Sequence, residues 1–287
     1  MLNRTRLTPR MLRFAHLSDY AGLALRPPRG TRTQSVPFAR FAAELVRGPR
    51  VYASGRVILY FHGGCFFCGG LRTYRQLVAR VSVAVDGPVL SVAYRKLPAV
   101  GLGTSVEDCL EAYRMLLDRG FGADQVVFAG DSAGGCLAFA TALAAAHEDL
   151  PVPAGIAVMS PWVDLECLYS ADHPNASSDP YLPVQLLWKV ARLLSADHSP
   201  FLRLLEADLA ALPPTLIQVG SLEVLRSDAE LMSERLARAS VGVRLQIWQD
   251  QVHVFQLFAD VVAEGRRAIE EIGAFVRAVT DGTRAHA

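Results

Sequence analysis

Short β-branched runs alternate with amphipathic stretches along most of this chain, and no other feature constrains the fold as tightly. The runs fall at residues 57–62, 89–93, 126–129, 156–160, 216–219 and 245–248. Between the second and the third, Val106, Cys109, Leu110, Tyr113, Leu116 and Leu117 recur at helical spacing, and Gly120 stands where a helix C-cap belongs. Strand, helix and strand repeated in this way predict a mostly parallel sheet covered by helices, because a parallel pair needs a crossover long enough to hold one. Residues 31–37 and 40–47 read as an antiparallel hairpin ahead of the first parallel strand, which brings the sheet to about eight strands. A last helix at about 264–278 presents Ile269, Ile272, Phe275 and Val276 on one face for packing on that sheet.

Two segments are left over. One is the N-terminal stretch, residues 1–30; the other is an insert at about 162–200, where Pro174, Pro180 and Pro183 mark turns around a helix expected at 184–194. The expectation is a single α/β domain over 31–287, with these two pieces meeting above the sheet as a small helical cap. Neither an internal repeat nor a low-complexity linker argues for a second independent domain.

The candidate chemistry starts at the third parallel strand. Val126, Val127, Phe128 and Ala129 run into Gly130-Asp131-Ser132-Ala133-Gly134-Gly135, and an Ala- and Leu-rich helix follows to about His147. A serine on such a strand-turn-helix bend is lifted above the sheet in a strained conformation, and its neighbours are small because a side chain would strike the adjoining strand or helix. A Gly-x-Ser-x-Gly string alone arises by chance with a probability on the order of 0.1, so the weight lies in its context. The bland alternative is a phosphate-binding turn at a helix N-terminus, but the G-x-G-x-x-G spacing of dinucleotide sites is missing. Ser132 is therefore the expected nucleophile.

Acyl transfer also needs backbone N–H groups aimed at the oxygen that becomes negative. The strand ending at Phe61 leads into His62-Gly63-Gly64-Cys65, where glycines let the backbone approach that oxygen closely. Gly63 and Gly64 are the expected donors, with the N–H of Ala133 completing the oxyanion hole.

With this pair of motifs the chain resembles the hormone-sensitive-lipase-like (family IV) bacterial esterases of the α/β-hydrolase fold, which are marked by H-G-G-G and G-D-S-A-G-G. The resemblance runs from about residue 31 to the end and includes Ser160-Pro161-Trp162-Val163-Asp164-Leu165, Leu212-Pro213-Pro214-Thr215 and His253-Val254-Phe255. It implies an eight-stranded, mostly parallel sheet, a small cap, no cofactor, and ester hydrolysis with short- to medium-chain substrates. Two departures stand out: Cys65 replaces the third glycine, and Ala93-Tyr94-Arg95-Lys96-Leu97-Pro98-Ala99-Val100-Gly101 replaces the usual Asp-Tyr-Arg-Leu-Ala-Pro-Glu-His-Pro. In the family the histidine at the position of His62 orients the loop rather than acting as a base. Cys65 and Cys68 form a C-x-x-C with no thioredoxin-like surroundings, so packing under the loop is the expectation.

The acid and the base of this fold follow the nucleophile, on loops after later strands. Strand 216–219 leads to Gly220-Ser221-Leu222-Glu223-Val224-Leu225-Arg226-Ser227-Asp228, and strand 245–248 leads to Gln249-Asp250-Gln251-Val252-His253. His253 is the expected base. Aligning Leu225 with the leucine of the family's Asp-Pro-Leu-x-Asp puts Glu223 at the acid position; Asp228 is the second candidate, its bland reading a charge favoured at a helix N-terminus. Asp131, within the elbow, is expected to accept nearby N–H groups.

The remaining readings bound the partners. With 29 basic and 28 acidic residues the chain carries no field suited to nucleic acid, and of the basic residues only Lys96 and Lys189 are lysines. Arg4, Arg6, Arg10 and Arg13 precede no uninterrupted apolar core of a secretory signal, and no apolar run reaches the roughly 18 residues a membrane crossing needs. Five irregularly spaced cysteines form no disulfide framework, which fits a reducing cytoplasm. Asp172, His173, Asp197 and His198 lack a recognisable ligand spacing, so no metal is expected, and Asn175-Ala176-Ser177 has the glycosylation pattern without the compartment. A small ester is the expected partner, and an exposed edge strand offers a surface for a homodimer. Two other functions stay open: a thioesterase, lactone-processing or eliminating enzyme on the same three residues, and a catalytically silent ligand-binding protein, as plant gibberellin receptors are.

Overall fold

A computed structural model describes residue 19 and residues 26–52, 55–170 and 172–281. Eight strands form one sheet in the order β1-β2-β4-β3-β5-β6-β7-β8: β1 (Arg32–Pro37), β2 (Ala42–Arg47), β3 (Val57–Phe61), β4 (Val89–Ala93), β5 (Val126–Asp131), β6 (Gly155–Met159), β7 (Thr215–Gly220) and β8 (Val243–Trp248). From β4 to β8 every pairing is parallel, while β1 and β2 form the antiparallel hairpin and β2 joins β4 antiparallel.

Six α-helices lie among the described residues: α1 (Leu71–Val85), α2 (Leu102–Asp118), α3 (Ala133–His147), α4 (Val184–Leu194), α5 (Arg226–Arg238) and α6 (Ala263–Asp281). The central strands are apolar at every position because both faces are covered. Val57, Leu59, Phe61, Val126, Phe128, Ile156 and Val158 pack with residues of α2, α3 and α5, while Ile58, Tyr60, Val127, Ala129, Ala157 and Met159 pack with α1 and α6. The two-residue period of a strand sorts one apolar run into two cores, and each large aliphatic side chain so buried contributes about 1.5–3 kcal/mol. Helix α3, which is buried along nearly its whole length, is apolar all round for the same reason.

A parallel sheet gathers the loops that follow its strands at one edge, and functional groups collect there. The loops after β3, β5, β7 and β8 carry His62 to Cys65, Ser132, Glu223 and His253 respectively. The expected N-terminal cap segment lies almost wholly outside the described residues; Asp19, which is described, accepts hydrogen bonds from the amide and hydroxyl of Thr73 in the first turn of α1. The long connection from β6 to β7 contains α4, as the proline spacing predicts. No helix among the described residues is long and apolar enough to cross a membrane.

Candidate active site

The bend after β5 is built from backbone. Ser132 has φ 52° and ψ −120° and precedes the first residue of α3. A non-glycine residue in such a conformation carries on the order of 1–3 kcal/mol of strain and persists only where its surroundings over-determine it. Here they do: the Ser132 amide donates to the Met159 carbonyl at 2.9 Å, and its own carbonyl accepts from the amides of Gly135 (3.0 Å) and Trp162 (3.0 Å). A Cβ at Gly134 would run into the carbonyl of Phe61, the last residue of β3. The glycine is what lets helix and strand close to this distance.

His253 Nε2 lies 3.1 Å from Ser132 Oγ, and His253 Nδ1 lies 2.7 Å from Glu223 Oε2. Three groups from three loops thus form one hydrogen-bonded chain, with Ser132, His253 and Glu223 all buried. The second carboxylate oxygen, Glu223 Oε1, accepts from the Gly220 amide at 2.6 Å and from the Ser160 hydroxyl at 2.8 Å. Burial alone would lower the pKa of His253, but the hydrogen bond and charge of Glu223, helped by the charges of Asp131 and Asp179, outweigh it and hold the imidazole above its ordinary value. The carboxylate therefore both fixes the tautomer, with hydrogen on Nδ1 and a lone pair on Nε2 toward the serine, and stabilises a proton once the ring accepts it.

The second acid candidate is engaged elsewhere. Asp228 Oδ2 accepts from the amides of Val163 and Asp164, each at 2.8 Å, and burial pushes its carboxyl up to about 7 against the pull of those amides. It anchors the chain just after Ser160-Pro161-Trp162 rather than touching the imidazole.

The oxyanion loop requires a correction of one residue. The Gly63 amide, an expected donor, already donates to Asp131 Oδ1 at 3.0 Å, and a Cβ at Gly63 would press on that carboxylate. An N–H held by a buried carboxylate is not free for a substrate oxygen. The amides of Gly64, Cys65 and Ala133 have no acceptor among the described residues. Gly64 has φ 112° and Cys65 φ 52°, so the unpartnered pair sits in a left-handed stretch in which the cysteine takes the conformation a third glycine would adopt. The Ala133 amide adds the positive end of α3.

Asp131 also accepts from the Tyr60 hydroxyl at 2.7 Å, and burial lifts its carboxyl to about 6 although these donors favour its charge. His62 keeps its ring in the loop: Nδ1 is 2.7 Å from the Gly63 carbonyl, the ring stacks on Tyr94 at 4.6 Å, and the Tyr94 hydroxyl donates to the His62 carbonyl at 2.7 Å. Burial, followed by the charge of Lys96, holds His62 well below the usual histidine range, so it is neutral. Lys96, in the segment that departs from the family pattern, donates to the Gly69 carbonyl at 2.6 Å and approaches His62 Nε2 at 3.5 Å. One ammonium thereby touches both ends of the loop 62–69. Burial raises the thiol of Cys65, and Cys68 Sγ donates to the Gly64 carbonyl at 3.2 Å. Both cysteines serve the loop's shape.

Several contributors have roles that no sequence signal assigns. Ser160, just after β6 with φ 48°, donates its hydroxyl to Glu223 and accepts the Val254 amide at 3.1 Å, tying Glu223 to the residue after His253. Asn175 of the apparent glycosylation triplet donates instead to the carbonyls of Ser221 (2.8 Å) and Glu223 (2.9 Å). Asp179 Oδ2 accepts the Val224 amide at 2.8 Å. Phe66, which follows Cys65 in the loop after β3, is buried against Trp162 with ring centroids 5.8 Å apart. Of the residues weighed for a metal, His173 Nδ1 accepts the Asn175 amide and Asp197 accepts the amides of Gly103 and Ser199. No group of three or more His, Cys, Asp or Glu side chains among the described residues is arranged to hold a metal ion.

A family model for the α/β-hydrolase fold matches residues 58–257. The chain is 38% identical over 274 residues to the carboxylesterase/phospholipase LipF of Mycobacterium tuberculosis, covering 91% of this chain and 73% of that one. It is 36% identical to the esterase LipU of the same organism, covering 91% and 92%, and 38% identical to an acetyl-hydrolase of Streptomyces hygroscopicus, covering 83% and 80%. Among solved structures, an esterase from the bacterial hormone-sensitive lipase family superposes with a TM-score of 0.89 at 32% identity, covering 97% of this chain and 94% of that one. The Ser132 elbow, the loop after β3 and the matches on either side of them agree in what they identify: the chain belongs to the α/β-hydrolase family, in its branch of hormone-sensitive-lipase-like esterases.

Proposed function

We propose that this protein hydrolyses carboxylic esters of short to medium acyl chain through an acyl-Ser132 intermediate, with His253 as general base and acid and Glu223 as its partner. The observation that carries the reading is the unbroken chain from Glu223 through His253 to Ser132, at 2.7 and 3.1 Å, beside amides with no acceptor of their own. His253 Nε2 takes the hydroxyl proton as Ser132 Oγ bonds to the carbonyl carbon, and the oxygen that gains charge is received by the amides of Gly64, Cys65 and Ala133. The imidazolium then gives that proton to the departing alcohol, leaving the acyl-serine. Water, deprotonated by the same nitrogen, releases the acid and restores the hydroxyl.

The acyl length rests on the relatives: one is named an acetyl-hydrolase, and one solved neighbour was soaked with p-nitrophenyl butyrate. The same reading takes the β6-to-β7 connection together with the N-terminal segment as a cap and places the protein in a reducing cytoplasm, in keeping with five free cysteines. It also takes an unpaired sheet edge, β1 or β8, as the surface for a homodimer.

The test is labelling by a fluorophosphonate probe together with release of p-nitrophenol from acetyl to decanoyl esters. Labelling at Ser132, abolished in Ser132→Ala, with turnover favouring the shorter chains, is the expected outcome. Labelling without ester turnover would point to thioester, lactone or elimination chemistry on the same residues. A folded protein that does not label would be a ligand-binding protein.

A further inference from the structure

The long connection between β6 and β7 is fastened to the acid loop at three points. Asn175 holds the carbonyls of Ser221 and Glu223 and Asp179 Oδ2 holds the Val224 amide, while within the connection itself Asp179 Oδ1 accepts the amides of Tyr181 and Leu182, each at 2.8 Å. The backbone of Tyr181 is thus pinned by the same carboxylate that grips the residue after Glu223. Its ring centre lies 6.2 Å from that of His253 and 6.3 Å, edge-on, from that of Phe258. The Tyr181 hydroxyl makes no hydrogen bond among the described residues, and Tyr181 and Phe258 are 53% and 38% exposed. Two large rings that leave apolar surface open beside a buried imidazole are placed to meet a ligand rather than to fill the core.

Which part of the ligand they meet follows from the proton path. In acylation His253 Nε2 delivers its proton to the leaving oxygen, so the alcohol half of the ester lies on the imidazole side of Ser132. The carbonyl oxygen is turned to the amides of Gly64, Cys65 and Ala133, and the acyl chain takes the remaining direction. We infer that Tyr181, backed by Phe258, is the specificity-determining wall of the alcohol site, packing against alkyl and single-ring alcohols and excluding broader ones. The inference rests on the proposed roles of Ser132 and His253.

The experiment uses the full chain and two ester series. In one the acyl group is butyryl and the alcohol runs through ethyl, butyl, benzyl and 1-naphthyl; in the other the alcohol is p-nitrophenol and the acyl group runs from acetyl to decanoyl. The quantity read is kcat/KM, which covers the steps up to loss of the alcohol. Comparing each variant with wild type on one ester cancels the intrinsic reactivity of the leaving group. Tyr181→Ala is expected to raise the 1-naphthyl to ethyl ratio at least about tenfold, Tyr181→Trp to lower it, and Tyr181→Phe to leave it in place, with the acyl series unmoved in all three. An unchanged alcohol ratio in both Tyr181→Ala and Tyr181→Trp, or an acyl series that shifts instead, overturns the assignment while ester hydrolysis itself stands. A wild type that neither labels at Ser132 nor turns over either series overturns both.

Discussion

The loop after β5 and the loops after β7 and β8 meet at Ser132, but they are held there by different forces. The Ser132 bend is fixed by backbone: carbonyls and amides of Met159, Gly135 and Trp162 grip Ser132, and the space between β3 and α3 admits nothing larger than hydrogen at Gly134. Glu223 and His253 depend on side chains that reach across the fold, with the hydroxyl of Ser160 meeting both loops and Asn175 and Asp179 clasping the acid loop from outside. A site held by excluded volume fails abruptly when volume is added. A site held by hydrogen bonds weakens one bond at a time.

The sharpest way to break this contrast is Gly134→Val. Its added carbons would occupy the position of the Phe61 carbonyl, and the expected outcome is loss of more than about 4 kcal/mol of stability or no folded protein, measured by thermal or urea unfolding. If Gly134→Val folds with wild-type stability, steric closure does not fix the bend.

Next in size is Glu223→Gln, which keeps the shape and removes the charge. Turnover is expected to fall about 10³- to 10⁴-fold with little change in stability, by analogy with loss of the acid in serine-protease triads. The pH profile carries the sign. His253 must be neutral to take the serine proton, so activity is lost as pH falls through its pKa, and in the wild type that acid limb lies above the ordinary histidine value of about 6.5. Removing the carboxylate leaves burial, which lowers the pKa, so the limb of kcat/KM in Glu223→Gln moves to lower pH. A limb that stays in place would mean that another charge sets it.

The smallest effect is expected from Ser160→Ala. It strips one donor from Glu223 and leaves the Val254 amide without its acceptor, a loss of about 1–3 kcal/mol of positioning or stability. The expected outcome is a drop in turnover of about 10- to 100-fold with the acid limb close to its wild-type place, since the Glu223 charge remains. A fall as deep as that of Glu223→Gln would make the hydroxyl as important as the charge.

The same contrast explains what the sequence discloses. The sheet is legible because apolar runs of strand length alternate with helical periodicity, and Ser132 because a strand, a cluster of small residues and a helix follow one another without a gap. Glu223 and His253 are reachable because each sits just past a strand, although Asp228 stays a second candidate until its carboxylate is found on the amides of Val163 and Asp164. Among the expected amide donors Gly63 is the one the structure finds engaged, since adjacent small residues look alike until the Asp131 carboxylate selects the Gly63 amide and leaves those of Gly64 and Cys65 without an acceptor among the described residues. Asp179 and Tyr181 carry no local signal, and Ser160 and Asn175 stand in recognisable strings that do not disclose their roles, because the partners of Ser160, Asn175 and Asp179 lie 45 to 94 residues away and no local period records such a pairing.

Asp179 gives this arrangement a lasting consequence. A single carboxylate steadies Tyr181 at the mouth of the site with one oxygen and the residue after Glu223 with the other. Appetite and speed are geared together under the proposed roles: a lineage or an engineer that reshapes the entrance by moving this stretch also disturbs Glu223, so new preferences arrive with slower enzymes unless Asp179 is left alone.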